Sequence, residues 1–433
     1  MESVLAPNFK FAPYWWDRAP PSPAHGDLPS TVDVVVVGCG LSGLSAALGL
    51  LRGGRSVVVI DKDMPGAGGS RRAAGMLGRI LKYSYSAMAK DLGLEKATAV
   101  YFEAKEALDF TKQLIRDEGI DCYLETAPRI VTANSKAHFK KMDAEFAFMK
   151  KHMGLPYRMI GKSELPSEMV TPKYEGALVL PDFGSIHPGL YHQGLLDLVL
   201  RAGGLVRSGT EVKSVKQTPK GVAVSTDHGE IKADQVVLST NGYTTSGLQW
   251  ARRRLVPFDA YMAATEEMDP NLLAEIMPNR CTMYDARTNI DFFRPAPDRP
   301  CMLVGGATGS IMNNPEQIAE RLHQILRDVL PQLTDVRFSH VWTGNCAGTF
   351  DMMPHIGRNG RIWHGMGFNF AGIAMGTHFG RKIAAQILGD PSGRSEFESF
   401  RFRPVPVIGR QRWFMPFVMK YFDWKDDRIE RQS

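Results

Sequence analysis

The 433-residue sequence predicts an α/β protein: a doubly wound parallel sheet for a dinucleotide, discontinuous along the chain, joined to a second α+β domain on an antiparallel sheet. Three observations predict it. A β-branched strand at Val32–Val37 runs into a glycine turn and a helix. Later segments at 184–215, 235–243 and 365–388 return to glycine turns, helices and buried strands. Between them, 84–174 and 251–334 carry helices and strands but no nucleotide motif.

The first strand has no polar alternation after Asp33, which suits burial on both faces of a parallel sheet. Gly38, Gly40 and Gly43 follow in G-x-G-x-x-G spacing, Leu41 and Ser42 open the helix, and Leu44, Ala47, Leu48 and Leu51 mark its apolar face. The first glycine permits a tight turn and the second lets backbone approach a pyrophosphate. The third lets helix pack on strand, with the phosphates at the positive helix end. The spacing alone is weak evidence, because glycine turns also follow strands for structural reasons; here the surrounding unit is complete. Ser56–Ile60 is the next strand, and Asp61, with Lys62 beside it, stands about 20 residues past the turn, where an acid binds ribose hydroxyls. An ordinary charge at a strand end is the alternative. A nicotinamide domain would continue with another strand and helix. This chain instead enters GAGGSRRAAGML, with glycine at 66, 68, 69 and 75, which favours flavin in a Rossmann-like fold.

With 44% hydrophobic residues the chain can bury a substantial core, and its length suits two domains. The formal charge of +6 is modest and dispersed, and no nucleic-acid module is present. Five cysteines at 39, 122, 281, 301 and 346 form no C-x-x-C pair. That argues against a disulfide framework, an iron–sulfur cluster or a metal site and suits a reducing cytoplasm. The first 30 residues lack the pattern of a signal peptide, and no apolar run reaches transmembrane length.

Ser70-Arg71-Arg72-Ala73-Ala74-Gly75-Met76, preceded by Gly68 and Gly69, resembles the S-x-R-N-x-G loop that lies beside the flavin in the D-amino-acid oxidase superfamily of FAD enzymes. Its usual asparagine is Ala73 here. Gly184–Val215 resembles the family's second FAD segment, implying a backbone contact to adenine at Val212. His187, in a His-Pro-Gly turn there, is read as structural. Gln235–Tyr243 matches the family's A-T-N-A-Y-T with Thr240, Asn241 and Gly242. Trp342–Gly357 resembles W-x-G...T-x-D-x-x-P-x-I-G, bringing in Gly344 and Asp351. The turn with Gly367, Phe368, Gly372, Ile373 and Ala374 resembles the helix start against the flavin's pyrimidine edge. Some relatives hold FAD through a cysteine; matching Thr349-Phe350-Asp351 puts that position at Gly344, not Cys346, so noncovalent FAD is implied.

The resulting plan is an arm at 1–30, an FAD-binding domain at 31–83, 175–250 and 335–396, a substrate domain at 84–174 and 251–334, and a tail at 397–433 packed on the body. The tail's aromatic residues include Trp413, Phe414, Phe417, Tyr421, Phe422 and Trp424. The resemblance implies hydride transfer from the carbon next to nitrogen of a small-molecule amine or amino acid to flavin N5, giving an imine that hydrolyses. Oxygen or another electron acceptor completes the cycle. Motif neighbourhoods nominate Arg72, Tyr284, Arg294, Trp342, Asn345, His364 and Asn369 for the pocket. Arginine there would clamp a carboxylate and aromatic rings would stack on an amine. Some relatives carry a lysine that promotes reaction with oxygen, but none occurs here between Lys232 and Lys382. That gap favours an acceptor other than oxygen, and keeps open a dehydrogenase subunit that passes electrons to a partner protein or quinone. No second G-x-G-x-x-G supports a site for NADPH.

Overall fold

The computed structural model describes residues 3–312, 314–405 and 414–431. Thr31–Val37 lies inside a parallel array, between Val57–Ile60 on one side and Gly229–Leu238 on the other. Leu205–Arg207 extends the array beyond Val57–Ile60, and Ile362–Met366 extends it beyond Val236–Leu238. The β-branched run at 34–37 is almost fully buried, as a strand covered on both faces should be. Gly229–Leu238 is one continuous strand. Its first half pairs antiparallel with Gly221–Thr226 and its second half pairs with Ile362–Met366, so one edge changes partner midway.

The helix Leu41–Arg52 crosses over this sheet and packs on Gly372–Leu388. The contact is backbone-close: a Cβ on Gly380 would lie 2.3 Å from the Ser42 carbonyl oxygen. Both helices begin at the same cavity, so the packing of one sets the position of the other.

The second sheet has nine strands, in the order Leu5–Lys10, Phe338–Gly348, Val256–Thr265, Met302–Gly306, Phe292–Pro295, Thr282–Asp285, Arg129–Thr132, Gly176–Leu180 and Arg158–Gly161. It is mixed rather than purely antiparallel, because its first pair and the pair of Thr282–Asp285 with Arg129–Thr132 run parallel. Gly176–Leu180 and Phe338–Gly348, expected with the nucleotide sheet, belong here instead. Their hydrogen bonds decide it: Trp342 pairs with Met262 and Gly344 with Ala260 along the long neighbouring strand. The helix Pro315–Val329 covers one face with Ile318, Leu322, Ile325, Leu326 and Val329 buried, as its spacing predicts.

Tyr85–Leu92 and Leu94–Asp117 are two helices, separated where Gly93 adopts a positive φ of 90°. Arg129–Thr132 is the strand that follows them. Tyr14 and Trp15 of the arm are buried, and the arm also supplies an edge strand that the sequence reading lacked. At the other end Met415–Glu430 is a helix packed on Lys136–Met153 and on the loop at 287–289. Trp413 lies outside the described residues. Among the described residues no helix is long and apolar enough to cross a membrane.

Candidate functional site

One continuous cavity of about 690 Å³ runs from the glycine turn, past the loop at 66–76, to the second sheet and the C-terminal helix. At the turn Gly38 has a φ of +108°, and a Cβ on Gly43 would lie 2.0 Å from the Gly38 carbonyl oxygen. Gly43 thus fixes helix against strand and does not line the cavity, whereas Gly38, Gly40, Leu41 and Ser42 do. The Leu41 amide donates to Ser70 Oγ at 3.1 Å, tying the helix start to the second glycine loop. Ser42 Oγ is buried in the cavity wall with no protein partner.

Asp61 closes the far wall with Lys62. Its carboxylate accepts the amides of Cys39 at 2.7 Å and Asp63 at 3.0 Å, and burial raises its pKa although both amides act in the opposite sense. Val212 lies at this end too, at the start of its strand.

The loop at 66–76 is held from behind, carbonyl by carbonyl. Trp342 Nε1 donates to the Arg72 carbonyl at 3.0 Å, and Trp15 Nε1 to that of Ala73 at 2.9 Å. Arg294 Nη1 reaches the carbonyls of Ala74 and Gly75, each at 3.1 Å, and that of Ile186 at 2.9 Å. Gly68, Gly69, Ser70, Arg72, Ala74, Gly75 and Met76 line the cavity, as does Ala73. At position 73 the carbonyl is bonded by Trp15, and the alanine side chain brings no hydrogen-bonding group to the cavity wall.

Arg71 is a brace rather than a lining residue. It is fully buried, donating to His192 Nδ1 at 2.9 Å, to the carbonyls of Ala19 and Pro20, and to Gln193 Oε1 at 2.7 Å. With Nδ1 accepting from Arg71, His192 Nε2 carries the proton and donates to the Cys39 carbonyl at 2.7 Å. Burial first, and then the Arg71 charge, pushes the His192 pKa down to about 3, so the ring is neutral. Sequence reasoning missed His192, whose only signal is its place one turn into the helix after His-Pro-Gly. His187 caps that helix, its Nδ1 accepting from the Leu190 amide at 3.1 Å.

The remaining nominated residues divide. Thr240, Asn241, Gly344, Asn345, Phe368, Asn369, Gly372, Ile373 and Ala374 line the cavity, with Trp342 and Tyr284. Gly242 does not line it, because it packs under the carbonyls of Asn345 and Cys346. Gly367 stands behind, its amide donating to Asn241 Oδ1 at 2.9 Å. Asp351 is occupied with Thr349 Oγ1, the Met353 amide and His355. Arg294, whose Nη1 is engaged by the loop carbonyls, and His364, which is buried between Trp250 and Phe402, do not line the cavity, contrary to their assignment to the pocket. Conversely, Lys82, which lies outside the lysine-free stretch between Lys232 and Lys382, lines the cavity from the segment after the loop at 66–76.

A family model described as FAD dependent oxidoreductase (DAO) matches residues 33–386. The chain belongs to the DAO family of FAD-dependent oxidoreductases. This DAO-family chain is 26% identical over 390 residues to gamma-glutamylputrescine oxidoreductase of Escherichia coli (strain K12), covering 90% of each chain. Its fold matches glycine oxidase from Geobacillus kaustophilus, with a TM-score of 0.72 at 20% identity over 88% of this chain and 100% of that one. It also matches L-proline dehydrogenase from P. horikoshii, with a TM-score of 0.71 at 18% identity over 91% and 99%. The residues present fit FAD. The unpartnered Ser42 hydroxyl and the helix-start backbone line the cavity where they would hold a phosphate, and Asp61 lines the same cavity where it would meet a ribose.

Proposed function

We propose that this chain oxidises an amine or amino acid at the carbon next to nitrogen, giving an imine that water hydrolyses. The observation that carries the reading is the single cavity joining the dinucleotide turn to a second domain's wall, in a chain of this family. The chemistry that FAD supplies when bound is acceptance of a hydride. The chain's part is positioning. Trp342, Trp15 and Arg294 fix the loop backbone, so the surface offered to a substrate is rigid. Met262, Tyr284 and Phe292 of the second sheet form the opposing wall, and Phe422 of the C-terminal helix adds to the enclosure. Burial raises the Tyr284 pKa, which keeps its phenol protonated as a hydrogen-bond donor.

Cys346 lines the cavity, but burial pushes its thiol up to about 12, which supports noncovalent FAD. Five unpaired cysteines support a reducing, cytoplasmic setting. Oxygen or another acceptor then takes the electrons. The test is anaerobic mixing of the yellow protein with a panel of amines and amino acids, followed by air. Bleaching by at least one substrate is expected; none bleaching the flavin refutes the reading. Rapid return of colour in air assigns an oxidase, and slow return assigns a dehydrogenase that serves another acceptor.

A further inference from the structure

The helix Met415–Glu430 sorts its side chains by charge. Its four acids all turn toward the body of the protein. Asp423 accepts from Asn289 Nδ2 at 2.8 Å, and Asp426 is buried and accepts the Thr288 amide at 2.7 Å. Asp427 pairs with Arg287 at 2.5 Å, and Glu430 lies 3.7 Å from the same guanidinium. On the other side Phe417, Tyr421 and Trp424 recur at helical spacing and are 65%, 56% and 56% exposed. Lys420, Lys425 and Arg428 are exposed beside them, as is Arg431 at the cap. Every exposed residue of this helix and its cap is thus aromatic or cationic.

None of these cations forms an ion pair among the described residues. Arg428 instead stands over the Trp424 ring, 5.9 Å from its centroid, and the Tyr421 and Trp424 rings stack at 6.0 Å. A contiguous exposed patch of large apolar side chains marks an interaction site, and the charges beside it identify the chemistry. Protein interfaces are depleted in lysine and set cations against acids of the partner. The boundary of a bilayer takes tryptophan and tyrosine at the headgroup level, with lysine and arginine reaching anionic headgroups. A face of rings and cations without a carboxylate fits the bilayer. With 16 residues the helix is too short to span one, so it lies along the surface.

We propose that this face docks the protein on an anionic phospholipid surface, with the aromatic rings in the headgroup layer and the cations on lipid phosphates. Phe422 and Lys425 of the same helix line the cavity, so docking brings that end of the cavity to the bilayer. The docking does not depend on which substrate the enzyme oxidises.

The test uses the FAD-loaded protein and sedimenting vesicles of two compositions: phosphatidylcholine alone, and equal parts of phosphatidylcholine and phosphatidylglycerol. Flavin absorbance in the pellet reads the bound fraction. The anionic vesicles bind the protein roughly tenfold tighter or more, and the difference shrinks as salt rises. Lys420→Gln combined with Arg428→Gln weakens that binding roughly tenfold or more, since each cation near an anionic leaflet contributes about fivefold. Tyr421→Ser combined with Trp424→Ser also weakens it roughly tenfold, by removing the apolar contact. All four positions are exposed, so both double variants keep the parent's Tm and flavin spectrum. Lipids brominated in the upper acyl chain quench tryptophan fluorescence of the unaltered protein, and Trp424→Ser removes the quenching. No binding to the anionic vesicles, equal affinity for the two compositions, or binding unchanged by both double variants overturns the proposal. Cation-dependent binding without quenching means adsorption by charge alone and overturns it too. If light scattering finds a dimer that Tyr421→Ser with Trp424→Ser converts to a monomer, the face is a contact between copies of this chain and the membrane reading falls.

Discussion

Replacing Arg294 with methionine separates a substrate clamp from a loop brace. The guanidinium is 1% exposed, and its Nη1 serves three carbonyls, at 74, 75 and 186. Hydrogen bonds to a charged group contribute about 1.5–3 kcal/mol each, and an orphaned buried carbonyl costs about 1–3 kcal/mol. Against that, the arginine is itself expensive to bury: desolvation holds its pKa down to about 10, and Nη2 has no partner. The net loss expected for Arg294→Met is therefore on the order of 4 kcal/mol, within the range for breaking a buried charged network. At about 2 °C per kcal/mol for a large domain, the Tm falls by roughly 8 °C. Melting followed by flavin fluorescence shows this directly, because FAD release from the loop reports the same event. FAD affinity falls together with Tm. The reasoning is refuted if Arg294→Met keeps its Tm and FAD affinity while KM for an amino-acid substrate rises tenfold or more, the signature of a carboxylate clamp.

Two further outcomes follow from buried groups. Ser42→Ala removes a hydroxyl that has no protein partner, so FAD binding weakens by about tenfold while the stability of the FAD-free protein is unchanged; an equal FAD dissociation constant for both proteins counts against the phosphate role. His192 and His364 are held neutral, with pKa values pushed down by burial to about 3 each. Between there and about 6.5 the unfolded chain binds more protons than the folded one, so their contribution is complete above pH 6.5 and declines as pH falls. At pH 5 each costs about 2 kcal/mol, so the Tm drops between pH 7.5 and pH 5. His364→Phe, which keeps the ring between Trp250 and Phe402, flattens that drop; an unchanged pH slope rules out His364 as a source.

The dinucleotide turn was readable because its chemistry is local. Gly38, Gly40 and Gly43 sit within one turn, and Gly43 meets the backbone carbonyl of Gly38 a few residues away. Periodicity located most strands and helices for the same reason, since burial of a strand or a helix face writes itself into neighbouring positions. Ala73 departs from the family's asparagine, and the sequence does not show that Trp15, 58 residues earlier, bonds its carbonyl.

What the sequence by itself determined is the dinucleotide unit, the return of the chain to it in later segments, and its likeness to FAD enzymes. Tertiary structure alone decided which charged side chains face the cavity. Arg294 and His364 carried the right residue types in the right motifs, yet one is spent on three carbonyls and the other is enclosed by aromatic rings. Lys82 and Arg129 come from segments without a motif and meet Tyr284 in the cavity wall. The physical reason is that a side chain's role depends on which hydrogen bonds and counter-charges reach it through space, and those come from strands and loops distant along the chain, with a register that no local spacing records.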